Sequence, residues 1–248
     1  MDNKIENKKS DASSSDVFFV SFQAFQKKLE ETSDPSDLFY ELKDDSKGFG
    51  KGRPRRLYLF TDKSLDPGFD IPLINPGNSF DVNENSCYSK LGACLSEDIF
   101  VRTIYFSKTG KSIYNWCTLA DGARGYCFCY RFKDIKRAIK EKLSTRKGKF
   151  ICVYGKVNYG NHSSKDASNP WKDYVNSVFL KSVFYMTMEG FDLLILGSKD
   201  CEPCDLETIS VKPVSCSIAV NGHFVKTHSI NTMLGLSDLK KRLDDESQ

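Results

Sequence analysis

The side chains able to do chemistry are few and widely spaced. The chain has three histidines, His162, His223 and His228, so acid–base chemistry would fall mainly to carboxylates. Glu189 is the notable one. In MTMEGFDLLI it stands at the entrance to a strongly apolar run, where an acid at a strand end is placed for catalysis. A turn carboxylate in water is the commoner outcome at such a position. No Gly-x-Ser-x-Gly elbow, Gly-x-Gly-x-x-Gly loop or Walker pattern occurs. GFGKGRP lacks the Lys-Ser/Thr ending and the preceding strand that a phosphate loop needs.

Cys201 and Cys204, in Cys-Glu-Pro-Cys, have the spacing of a zinc knuckle or a redox dithiol. Zinc would need two further ligands, and His223 and His228 lie downstream. However, 18 residues separate Cys204 from His223, more than the usual finger pattern allows. Two histidines five apart on one strand also point to opposite faces. A turn with two incidental thiols is favoured, and no metal is expected. The nine cysteines form an odd set scattered through strand-like segments, which suits reduced core thiols better than a disulfide framework.

Positive charge is clustered locally although the net charge is only +3. KGFGKGRPRR carries Lys47, Lys51, Arg53, Arg55 and Arg56, and a second group comprises Lys133, Lys136, Arg137 and Lys140, extended by Arg146, Lys147 and Lys149. If the two adjoin in space they form a surface for phosphate, on a nucleic acid or a nucleotide cofactor. The competing reading is a solvated helix face balanced by Asp134 and Glu141 beside an exposed loop.

The elements that must carry these residues follow from periodicity. Residues 1–15 are polar and expected to be a disordered tail. Asp16 reads as an N-cap, with Phe18, Phe22, Phe25 and Leu29 on one face of a helix. A second helix is expected over 36–42. Residues 44–56 read as a loop, 57–60 as a strand and 66–78 as an irregular connection with three prolines. Strands are expected over 89–95, 99–106, 112–118, 125–132 and 150–157, with a basic helix over 134–143. Residues 178–185 and 191–196 read as a strand pair. Asn221-Gly222 between two alternating runs marks a hairpin, and Ser237 caps a final helix. The expected fold class is therefore α+β: a mixed, largely antiparallel sheet core, two N-terminal helices, one internal basic helix and a C-terminal helix. The expected organisation is a tail over 1–15, a helical appendage over 16–45 and one α+β domain over 55–248. No run is long and apolar enough for a transmembrane helix and the N-terminus lacks a signal-peptide core, so a cytosolic protein is expected.

Residues 94–132, CLSEDIFVRTIYFSKTGKSIYNWCTLADGARGYCFCYRF, resemble the central pattern of an uncharacterised bacterial family found with abortive-infection (AbiGi-like) phage-defence genes. The features are Cys94-Leu95-Ser96-Glu97, Trp116, Ala120-Asp121-Gly122 and Gly125-Tyr126-Cys127, ending at Phe132. RRLYLFTD matches the family's opening strand. DPGFD is a degenerate form of its Asn-Asp-Pro-Phe loop, and MTMEGFDLLI keeps Glu189 and Phe191 of a later strand but has Asp192 where arginine is expected. The order of elements is similar to that of ADP-ribosyltransferases. That likeness implies an NAD-using activity on a macromolecule, with Arg55 or Arg56 and Tyr126 holding the cofactor and Glu189 as the catalytic acid. The alternative is a non-catalytic module contacting nucleic acid or an acidic protein partner through residues 47–56 and 133–149. On that reading Lys51, Arg53, Lys133, Lys136, Arg137 and Lys140 make the contacts.

Overall fold

The first element corrects the sequence reading. In the computed structural model, Asp16–Ser21 is a strand, β1, and the helix α1 begins only at Phe22 and runs to Glu31. Val17, Phe18, Phe19 and Val20 are β-branched or aromatic, the types that fit a pleated surface, and β1 lies parallel to a later strand, Lys149–Lys156. Ser21, not Asp16, caps α1, accepting from Ala24 N at 3.4 Å. The structure describes residues 16–32, 35–42, 55–62, 70–79, 81–92, 99–146, 148–160, 169–198, 206–220 and 223–228. The expected tail, the Cys201/Cys204 pair, Lys51, Arg53, His162 and the final helix lie outside them.

The remaining elements are α2 (Pro35–Glu41), β2 (Arg56–Thr61), β3 (Asp70–Pro72), α3 (Val82–Gly92), β4 (Ile99–Ser107), α4 (Ile113–Thr118), β5 (Tyr126–Arg131), α5 (Phe132–Ser144), β6 (Lys149–Lys156), β7 (Asn158–Tyr159), α6 (Pro170–Phe179), β8 (Leu180–Lys181), β9 (Gly190–Ser198), β10 (Thr208–Ser210), β11 (Ser215–Val220) and β12 (His223–Thr227). Eight strands form one sheet in the order β1-β6-β9-β4-β2-β5-β11-β12. Every neighbouring pair except β1–β6 is antiparallel, so the α+β class with a mixed, mostly antiparallel sheet holds. Val220 faces His223 in register, so β11 and β12 pair antiparallel, and the Asn221-Gly222 turn between them lies outside the described residues.

Three expected strands are helical instead. Of the strand expected over 89–95, residues 89–92 fall on α3, where Asp81 caps the first turn, and 93–95 lie outside the described residues. Residues 112–118 form α4, with Ser112 accepting from Asn115 N at 3.2 Å. Residues 178–185 contain the end of α6, the two-residue β8 and a 3₁₀ turn over Val183–Met188. In each case a capping side chain outweighs the local β-propensity. Asn169 caps α6 ahead of Pro170 in the favoured first helical position.

Period-two alternation divides the sheet's side chains between two faces. One face, including Phe100, Phe106, Phe128, Tyr130, Phe150 and Ile195, packs under α5 and the β3–β10 pair. The other, including Val20, Val101, Val153 and Leu194, packs under α1, α2, α3 and α6, with Phe22 stacked on Phe179 at 4.5 Å. The expected appendage therefore joins this core through its edge strand and both helices. A third cluster, with Phe60, Trp116, Ala120 and Cys127, lies under α4. No helix among the described residues is long and apolar enough to cross a membrane.

Candidate functional site

A group of buried charges sits where α3, β4, β8 and β9 meet. Asp81 Oδ1 accepts from Asn83 N at 2.9 Å and Glu84 N at 3.4 Å, starting α3 and fixing Glu84 in its first turn. The Glu84 carboxylate is fully enclosed. It accepts from the Tyr105 hydroxyl and, at 3.1 Å, from Lys181 Nζ. Lys181 is also 3.6 Å from Asp192 Oδ2 and lies 4.6 Å from the centre of the Tyr105 ring. Tyr105 and Asp192 are direct cross-strand partners, which is why both project to the same face. Glu84 and Asp192 thus share one lysine, leaving an excess carboxylate in the interior.

The electrostatics follow from that excess. Burial pushes the Asp192 carboxyl up to about 7, and Glu84 adds to the rise, while Lys181 opposes it. Burial acts to lower the Lys181 ammonium, but Asp192, Glu84 and Asp81 together turn its net shift upward. Burial and the Glu84 charge hold the Tyr105 hydroxyl well above its ordinary range. Buried ion pairs carry a desolvation cost that often exceeds their attraction, and such perturbed clusters concentrate at functional sites.

A small recess of about 30 Å³ opens beside this group, room for roughly two water molecules. Tyr58, Phe60, Tyr105, Val157, Tyr159 and Met188 contribute to its walls. Asn115, carried on α4, donates from Nδ2 to Met188 O at 3.0 Å, while its Oδ1 is buried with no hydrogen-bond partner. Asp192 Oδ2 is likewise buried without a hydrogen bond. Ser107 and Ser112 donate to the carbonyls of Met188 and Thr187, each at 2.7 Å, and so hold the 3₁₀ turn over the opening. Gly190 leaves the turn, donating to the Tyr159 hydroxyl oxygen at 2.7 Å. A Cβ there would come within 2.8 Å of Val157 and 3.1 Å of that oxygen.

The residues singled out for an NAD site are not brought together. Glu189 has left-handed backbone, φ 48°, at the end of the 3₁₀ turn, and its side chain is exposed. Tyr126 is buried beside Phe128, on the α5 face of the sheet. Arg56 belongs to the alternate face and to the other end of the β2–β5 ladder, because Arg56 pairs with Arg131 whereas Tyr126 pairs with Thr61. Arg55 and Arg56 are exposed.

The described end of the first basic stretch, Arg55 and Arg56, adjoins the start of the second; Lys47, Lys51 and Arg53 lie outside the described residues. Arg56 lies directly opposite Arg131, and Phe132 N, at the start of α5, donates to Arg55 O at 3.3 Å. Lys133, Arg137 and Lys140 are exposed along α5. Beside it runs an open groove of about 540 Å³ lined by Arg131, Lys133, Arg137, Lys212 and His228, with Asp134 and Glu141 also present. Arg137 pairs with Asp134 at 3.1 Å. Lys136 departs from expectation: it is buried, with its ammonium 5.0 Å from the Phe19 ring centre, and belongs to the core contact between α5 and β1.

The sequence reading passed over Asp192, Lys181, Glu84 and Asn115. A signal existed for two of them. Asp192 interrupts GFDLLIL and Lys181 interrupts VFLKSVF, lone charges in otherwise apolar runs.

No family model, curated protein or solved structure matches this chain. Among the described residues no group of three or more His, Cys, Asp or Glu is arranged to hold a metal ion. Cys127, Cys129, Cys152 and Cys216 are buried free thiols, and burial pushes Cys152 and Cys216 up to about 12.

Proposed function

We propose that this protein is a nucleic-acid-binding module whose phosphate-contacting surface is the arginine–lysine cluster around the start of α5. One observation carries the reading: Arg131 occupies a position where a cation is unfavourable on three counts. It faces Arg56 across the strand pair, and directly opposed like charges destabilise a sheet. It is also the N-cap of α5 but makes no side-chain capping bond, where Ser, Thr, Asp or Asn would satisfy a free N–H. Finally, a positive charge opposes the helix dipole at that end. An anion over the two guanidiniums reverses all three, since it pairs with both arginines and accepts from the helix N-terminus.

Arginine supports phosphate in particular. Arg131 and Arg137 line the groove and supply planar forks that match phosphate oxygens, with Lys133 and Lys212 as point charges beside them, and the exposed Arg55 and Arg56 adjoin Arg131 on the neighbouring strand. An NAD-using transferase needs Arg56, Tyr126 and Glu189 around one cleft, and their positions do not support it.

The test is fluorescence anisotropy with single- and double-stranded oligonucleotides across about 50–200 mM salt. Roughly four phosphate contacts give a log–log salt slope of about −3 to −4. Arg56→Ala and Arg131→Ala are each expected to reduce that slope by about 1. No binding at about 50 mM salt would reject the proposal. Equal binding to an acidic polypeptide would replace nucleic acid with an acidic protein as the partner.

A further inference from the structure

We infer that the recess between the 3₁₀ turn and β9 is a binding site for a small cationic hydrogen-bond donor, an ammonium or guanidinium group, received by Asp192 and Asn115. This does not rest on the nucleic-acid reading, and it concerns different residues.

Two buried acceptors define the site. Asp192 Oδ2 and Asn115 Oδ1 both belong to residues lining the recess and both are enclosed; Asn115 Oδ1 receives no hydrogen bond, and Asp192 Oδ2 faces the Lys181 ammonium at 3.6 Å, beyond hydrogen-bond distance. Buried acceptors are almost always satisfied, so an unmet amide oxygen and a loosely paired carboxylate beside one cavity mark a place for a donor. They come from separate elements, β9 and α4, held in place by Gly190, Ser107 and the capping bond of Ser112. The site is therefore preformed.

Charge selects the class of donor. The groups facing Asp192 are Glu84 from α3, Lys181 from β8, Tyr105 from β4 and Tyr159 from β7, with Asp81 just before α3. Lys181 is hydrogen-bonded to Glu84 at 3.1 Å and stands farther, at 3.6 Å, from Asp192. Asp192 is thus the carboxylate left in excess, and a ligand bearing one positive charge restores balance. Lys181 also lines the recess but is engaged by Glu84 and the Tyr105 ring, and the aromatic walls of Tyr58 and Phe60 favour a cation over an anion or an aliphatic group. Volume limits the group that enters to a head group, and about 30 Å³ excludes a whole nucleobase. The rest of such a ligand must remain outside the recess.

Isothermal titration of the full chain with methylguanidinium and methylammonium, against acetamide and acetate, tests the assignment. The cations are expected to bind and the neutral and anionic probes not to bind. Because the Asp192 carboxyl sits at about 7, affinity should rise about tenfold from pH 6 to pH 8 as it ionises. Asp192→Asn should remove both the binding and its pH dependence, with its folding verified by circular dichroism. Asn115→Ala should weaken binding while keeping the pH dependence. A blocked arginine derivative binding tighter than methylguanidinium identifies a protein side chain as the source, and equal affinity identifies a free small cation. Acetamide binding as well as the cations, pH-independent binding, or no cation binding at about 50 mM would overturn the inference.

Discussion

At the scale of single residues, Asp192 is the most informative. The structure encloses a carboxyl whose proton is released only near pH 7, against 3.8 for an ordinary aspartate. The sign of the consequence is definite. Between about pH 4 and pH 7 the folded chain holds a proton that the unfolded chain has lost, so stability declines as pH rises through this window and levels off above it. Asp192→Asn lacks this slope. Melting temperatures of wild type and variant, measured by circular dichroism from about pH 4 to 8, should therefore diverge at low pH in favour of wild type and converge or cross on the alkaline side. Parallel curves would show that Asp192 does not titrate with folding. Lys136 makes the complementary point, because its place over the Phe19 ring removes it from the cationic surface to which its helix spacing assigned it.

At the scale of elements, the junction of β5 and α5 trades stability for charge. Arg131 ends the strand and caps the helix without a capping bond, opposite Arg56. Arg131→Ser supplies the cap and removes the like-charge pair. It should raise stability by about 1 kcal/mol in urea unfolding while weakening oligonucleotide binding. A variant that loses stability would show that Arg131 serves the fold, and the argument for an anion there would fall. The nearby helices illustrate how capping decides local structure. The β-like stretches at 89–92 and 112–118 turn helical once Asp81 and Ser112 satisfy the first N–H groups. Those caps are present in the sequence.

At the scale of the whole molecule, β1 is an edge strand feeding both cores. Val17 and Phe19 enter the one under α5, and Val20 enters the one under α1 and α6. Removing residues 1–21 strips three buried apolar side chains, roughly 5–9 kcal/mol of burial, comparable to the whole stability of a typical domain. It also bares the β6 edge to intermolecular pairing. The truncated chain should be aggregated or unfolded by size-exclusion chromatography and circular dichroism. A folded monomer with native melting behaviour would contradict the placement of β1.

The sequence by itself determined the elements with a strong period and good ends. α5 follows from Ile135, Ile139 and Leu143, β4 and β6 from their apolar runs, and the last hairpin from Asn221-Gly222. It also showed where positive charge is concentrated. Only the tertiary structure decided that Arg56 meets Arg131, because strand pairing across about seventy residues has no local signature. The same holds for the buried group. Glu84, Lys181 and Asp192 lie far apart along the chain, and each looks like a surface charge until packing encloses it. Glu189, three residues before Asp192, had the conspicuous position at the strand entrance, yet its backbone turns it to solvent. Strand alternation then carries Asp192 inward: a side chain's face depends on register, and register is fixed by the partner strand rather than by the residue itself.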